Sequence, residues 1–200
     1  MDIDLDSYKL PEKNYYGSVY TKKQIVIGHT GRLGMLHYKS WVNRINGGYL
    51  RSSAFTVDRD GKVYQHYDPK YYTLYINKYH MSPFVIPITL VNVGWVSKNP
   101  NGEGYFDWLG NIHELDESEL TNKEWRGKKL WVNYTKEQLT SLKKLTDKLC
   151  GDFNIKEDCM PHTIFNEDVD IYEGITFKSN YYQEVTDISP AFDMGIFKIK

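Results

Sequence analysis

Residues 24–31 read QIVIGHTG, an apolar run that closes on Gly28, His29 and Thr30. A strand that ends on a histidine presents an imidazole at the rim of a sheet. There it can ligate a metal or serve as a base. The other donor-bearing residues carry weaker signals. Cys150 and Cys159 form no C-x-x-C pair and have no matching Cys/His set around them. They read as free or buried thiols of a reducing compartment, not as a disulfide framework. His80 and His113 stand in polar loops without a motif, and Asp58 and Asp60 read as turn residues.

The elements that must position His29 follow from the pattern. Residues 23–29 predict a short buried strand, rich in β-branched residues and closed by Gly and Thr. Residues 35–46 place Leu36, Trp41 and Ile45 at near-helical spacing, with Gly47-Gly48 as the stop. SAFTVDRDGKVYQHYD alternates on both sides of Asp60-Gly61, which predicts a hairpin. Residues 84–96 predict one further buried strand, in which Pro87 argues for an edge or a bulge. Residues 135–150 predict the clearest helix. Thr135 is its N-cap, Gln138 stands at the capping-box position, and Leu139, Leu142, Leu145 and Leu149 form the stripe. Residues 1–22 read as an N-terminal arm, and about 97–133 as a long excursion inside a domain spanning 23–200. The sum is a single α/β domain, a central mixed β-sheet flanked by helices.

The bulk properties exclude several partners. The chain has 200 residues and a net charge of -1, which gives no electrostatic case for nucleic acid or for an anionic membrane. No stretch approaches a membrane span. The N-terminus lacks the basic and apolar segments of a signal peptide. The chain is therefore expected in the cytoplasm of the cell that makes it, unless it travels in a larger particle. Tyrosine, at 17 residues, suits half-buried surfaces and recognition grooves; an AT-rich coding bias explains it equally well.

Several segments occur together in one order: SSAFTVDRDGKVYQHYDPKYY, IPITLVNVGW, YTKEQLTSLKKL, YEGI and TDISPAFDM. In that order they resemble the zinc-dependent N-acetylmuramoyl-L-alanine amidases, the amidase-2 family of phage endolysins and peptidoglycan recognition proteins. The resemblance runs from about residue 23 to 196. It implies a mixed sheet flanked by helices and an open groove. It also implies one zinc ion with about three protein ligands and an activated water, used to cut the muramic acid–L-alanine bond.

Residue by residue, the resemblance implies that this chemistry is gone. The first strand of the family ends His-His-Thr, with the first histidine on zinc; here the triplet is Gly28-His29-Thr30. Ala54 and Tyr75 replace groove histidines, and Thr89 replaces the catalytic glutamate, while Asn92 is kept. The second zinc histidine falls at Lys178. Val185 replaces a lysine. Asp187 alone survives as the third ligand, and a register shift would put Ser189 there instead. The scaffold signatures stay and the groove chemistry does not, so no catalytic residue and no cofactor are expected.

The expected function is thus a degenerate, pseudoenzyme amidase of phage origin that binds a cell-wall fragment or another small ligand. The groove candidates are His29, Tyr72, Tyr75, Thr89, Asn92, Lys178 and Asp187. Tyr71 and Tyr79 join Tyr72 and Tyr75 as a stacking surface or as core, and a Lys178 ammonium would suit an anionic ligand. Two alternatives stay open. One is an active zinc amidase with relocated ligands His29, His162 and Asp187, which a bulge at Gly28 would make possible. The other is a virion, assembly or host-factor-sequestering protein with a protein partner. For that reading Trp95, Trp108, Trp125 and Trp131 are candidate anchors.

Overall fold

The structure, a computed structural model, describes residues 2–197. The run QIVIGH forms a strand because three consecutive β-branched residues, Ile25, Val26 and Ile27, can be buried on both faces only inside a sheet. In chain order the main sheet contains β1 (Ile3–Asp4), β2 (Gln24–His29), β3 (Phe55–Val57), β4 (Val63–Gln65) and β5 (Val85–Leu90). The second sheet contributes β6 (Trp95–Lys98), β7 (Tyr105–Phe106), β8 (Ile112–His113), β9 (Leu120–Trp125) and β10 (Lys128–Val132). β11 (Gly174–Phe177) returns to the main sheet, whose order is β1-β4-β3-β5-β2-β11. The helices are α1 (Leu36–Asn43), α2 (Lys136–Phe153) and α3 (Lys178–Tyr181).

β2, β5, β3 and β11 run parallel, and only the β3–β4 hairpin is antiparallel. The sheet is therefore mixed, as the sequence predicts. β2 and β5 are central and buried, and α2 packs its stripe of Leu139, Leu142, Leu145 and Leu149 against the core. Each such leucine contributes about 1.5–3 kcal/mol of burial. The Thr135 hydroxyl accepts the Gln138 N–H at 3.1 Å, as a cap should. The Gln138 side chain does not complete the box. Its Nε2 donates instead to the Val57 carbonyl at 2.9 Å and the Val91 carbonyl at 3.1 Å, tying α2 to the sheet.

Three sequence expectations need correction. Pro87 is not on an edge: β5 lies between β3 and β2. The N–H and C=O of one strand residue face the same neighbour, and the Pro87 carbonyl accepts from Ala54, one residue before β3 begins. The missing donor faces a place where the neighbouring strand has not started, so no ladder bond is lost. The apolar run 84–96 is two strands, broken at Val91–Gly94, and Gly94 takes φ +86°. The α1 face is also different. His37 and Trp41 are buried, whereas Leu36 and Ile45 are exposed. The excursion, together with the start of β6 at Trp95, builds a five-stranded antiparallel sheet of order β8-β7-β6-β10-β9. In the N-terminal arm β1 pairs with β4, and the Leu10 side chain enters the core.

Beneath α1 lies a buried polar relay. His66 Nδ1 stands 2.7 Å from the Tyr8 carbonyl, which only accepts, so Nδ1 carries the proton. His66 Nε2 therefore accepts from the Thr56 hydroxyl at 2.8 Å, and Thr56 accepts from His37 Nε2 at 3.1 Å. Burial pushes His66 down to about 4. Burial, and after it the neighbouring His66, pushes His37 down to about 3. Both imidazoles are neutral in the folded protein and charge readily when it unfolds, so the unfolded chain binds protons first as pH falls. Their contribution is fully present above the unfolded value near 6.5 and is lost as pH falls from there to about 4 for His66 and about 3 for His37. The urea midpoint should fall markedly between pH 7.5 and pH 4.5, corresponding to a stability loss on the order of 5 kcal/mol for the pair. A His66→Gln variant should flatten that dependence.

Candidate functional site

β2 and β5 are in unbroken register, Gly28 opposite Thr89 and His29 opposite Leu90. There is no bulge at Gly28, so His29 does not swing into the place of its neighbour. Gly28 faces a cluster instead. A Cβ added there would collide with the Tyr75 hydroxyl and stand 3.1 Å from both Asp187 Oδ2 and Lys178 Cδ. The residues expected at the degenerate groove positions, Gly28, Tyr75, Thr89, Lys178 and Asp187, do converge. What they build is a filled site.

The Asp187 carboxylate is the centre of it. Lys178 Nζ lies 3.6 Å from Oδ2, and His29 Nε2 lies 3.5 Å from Oδ1. The His29 backbone N–H also donates to Oδ2 at 3.4 Å. Lys178 opens α3 directly after β11, and its ammonium sits over the Tyr75 ring, 4.7 Å from the centre. The Thr89 hydroxyl donates to Tyr75 Oη at 3.2 Å, and Tyr75 donates onward to the Ile88 carbonyl at 3.4 Å. Burial alone would raise the Asp187 carboxyl. The facing His29 and Lys178 outweigh it, and the group stays below the ordinary carboxylate range. Burial alone would lower Lys178, and Asp187 reverses that, so the amine is held above its usual value. Burial pushes the Tyr75 phenol up to about 12, and it remains a neutral hydroxyl.

His29 is not available as a base. Its Nδ1 accepts the Gly31 N–H at 3.1 Å, which leaves the Nε2 proton turned toward Asp187. Gly94 packs against this ring, which is why a left-handed glycine sits there. Asn92, expected in the groove, is a clamp between the two sheets. Its Nδ2 donates to the Val132 carbonyl at 3.0 Å, and its Oδ1 accepts the Gly94 N–H at 2.7 Å. Tyr72 leaves the site: it stacks on Tyr16 at 4.7 Å, and Tyr71 stacks on Tyr15 at 5.4 Å. Tyr79 is exposed.

The relocated ligand set does not assemble. His162 lies between the rings of Phe177 and Phe192, at 5.8 and 5.7 Å, and burial, with Lys123 adding to it, pushes it down to about 4. Among the described residues no three of His, Cys, Asp or Glu stand close enough to hold a metal ion. At the site itself one imidazole and one carboxylate meet a cation, a donor set that does not fit zinc.

One contributor carried no recognisable signal. Arg126, at φ +47°, forms the β9–β10 turn with Gly127. Its guanidinium donates to the carbonyls of Ser179, at 2.9 Å, of Tyr182, at 2.7 Å, and of Val185. It pins the segment that carries Lys178 and Asp187. A two-residue loop ending in glycine is the only hint, and arginine is an unusual first residue for it. Of the four tryptophans named as candidate anchors, Trp131 is fully buried and Trp125 donates to the Thr163 carbonyl at 3.1 Å. Lys128 lies 3.6 Å over the Trp95 ring. Trp108 is half exposed, its indole N–H held at 2.7 Å by the Gly31 carbonyl.

Comparison with known proteins agrees with this architecture. The chain resembles the endolysin of bacteriophage Ph2119 from Thermus scotoductus MAT2119, with TM-score 0.57 and 11% identity over 98% of this chain and 96% of that one. It also resembles the N-acetylmuramoyl-L-alanine amidase LysC of Clostridium intestinale URNW, with TM-score 0.54 and 14% identity over 98% and 95%. The Drosophila peptidoglycan recognition protein PGRP-SA gives TM-score 0.51 and 14% identity over 94% and 85%. No curated protein matches the chain in sequence. The Amidase_2 family model, N-acetylmuramoyl-L-alanine amidase, matches residues 19–174, and the chain belongs to that family.

The collision at Gly28 yields a direct test. Gly28→Ala should destabilise the protein by about 1–3 kcal/mol, because Cβ meets the Tyr75 hydroxyl inside a packed core. Adding Tyr75→Phe removes that oxygen and should recover part of the loss in a denaturant titration. If both changes simply add, the hydroxyl does not fill that space.

Proposed function

We propose that this chain is a non-catalytic member of the amidase family that acts as a binding module for a peptidoglycan fragment or a related small ligand. One observation carries the non-catalytic part: the Lys178 ammonium pairs with Asp187 over the Tyr75 ring, beside His29, where the family resemblance would place a metal and its water. The binding part is supported by the fold, which is shared with a peptidoglycan recognition protein. Its likeness to a bacteriophage endolysin supports a phage origin as part of the same proposal. The ligand meets the rim of the filled groove. Lys178 keeps 27% of its side-chain surface there, and the half-exposed Trp108 is held against Gly31, two residues past His29. No helix among the described residues is long and apolar enough to cross a membrane.

The experiment pairs two assays. A muramoyl dipeptide is titrated into the protein by calorimetry, and zinc-supplemented protein is added to a cell-wall suspension. The reading predicts saturable binding, weakened at least tenfold by Trp108→Ala, with no loss of turbidity. Clearing of the suspension would overturn the non-catalytic reading. Absence of binding would overturn the ligand and direct attention to a protein partner.

A further inference from the structure

We propose that the Lys178 ammonium is the resident cation of this site, a tethered replacement for a metal that makes the Asp187–His29 pair refuse divalent ions. The inference rests on the non-catalytic reading above and goes past it, by assigning the refusal to one side chain.

Three observations lead to it. First, Asp187 retains only 15% of its side-chain surface, and a buried carboxylate without a counter-charge is costly. Among the described residues the one ammonium or guanidinium against it is Lys178, on the same oxygen that the His29 backbone N–H approaches, while the His29 ring faces the other oxygen. Second, the ammonium is steered into place. The Tyr75 ring lies beneath it, Ser179 N–H is bonded to the Asp187 carbonyl at 2.6 Å, and Arg126 holds the intervening carbonyls. Third, the ligands left behind remain competent. His29 Nε2 has no hydrogen-bond partner although its side chain is only 6% exposed. Its Nδ1 also lies 3.3 Å from the Asn92 carbonyl. A shift of the ring proton from Nε2 to Nδ1 would find an acceptor there and free Nε2 for a metal.

The cluster thus lacks one donor and carries one cation too many. Lys178→His corrects both deficits at once, whereas restoring a histidine at Gly28 is blocked by the Tyr75 hydroxyl. The balance is simple: in the Lys178→His variant the bound metal gains two neutral imidazole nitrogens, an ionised carboxylate oxygen and a water, the His29 proton stays on its own ring at Nδ1, and no proton need leave.

The test is equilibrium dialysis against zinc, with thermal melting of the same samples. Wild type should hold no zinc, and its melting temperature should ignore zinc and chelator alike. Lys178→His should bind about one zinc per chain and melt higher with zinc than without. Adding Asp187→Asn should abolish both effects. A folded Lys178→His protein that takes no zinc would overturn the inference while leaving the non-catalytic reading intact. Zinc in the wild type would overturn that reading itself. Should Lys178→His not fold, Lys178→Met and Asp187→Asn decide. As counter-ion partners they must couple, so that the double variant melts above Lys178→Met alone. Simple additivity would overturn the proposal.

Discussion

The carboxylate of Asp187, shared between the Lys178 ammonium and the His29 ring, is the interaction on which this end of the molecule depends. A nearly buried negative charge must be answered, and here the answer comes from the chain itself. The rest of the local structure serves that pairing. Gly28 gives up its side chain so that the Tyr75 hydroxyl fits against β2. Thr89 directs that hydroxyl, Asn92 and Gly94 set the His29 ring, and Arg126 gathers the carbonyls of the segment between Lys178 and Asp187. An open metal centre needs converging lone pairs and a vacant position for water. This cluster offers neither.

Much of the fold was legible because local signals and tertiary demands agree. Thr135 caps α2 and its leucines face the core, and Gly61 takes φ +85° in the turn of the β3–β4 hairpin. The misreadings fall where tertiary context decides. Pro87 sits in a central strand because its absent donor faces the residues just before β3, an offset that no local rule exposes. Leu36 and Ile45 looked like a helix face, but the sheet beneath α1 presents His66 and Thr56, so His37 and Trp41 turn inward. Alternation in 97–133 was obscured by glycine, asparagine and charge, although four short strands lie there and pair with one another and with β6.

The candidate site was legible to a different depth. Family resemblance brought Gly28, Tyr75, Thr89, Lys178 and Asp187 to one place, and the structure joins them. It did not separate members of the site from their supports. Asn92 holds backbone, and Tyr72 packs on the N-terminal arm. Arg126 escaped notice because its role depends on three carbonyls far away in sequence. Such contacts leave no periodicity to read.

The central claim is that a lysine occupies the electrostatic place of a metal. The most direct measurement is anomalous diffraction at the zinc edge from crystals soaked in zinc. The account predicts Lys178 Nζ beside Asp187 and no anomalous peak at that carboxylate. A peak bound by Asp187 and His29, with Lys178 turned out to solvent, would contradict it.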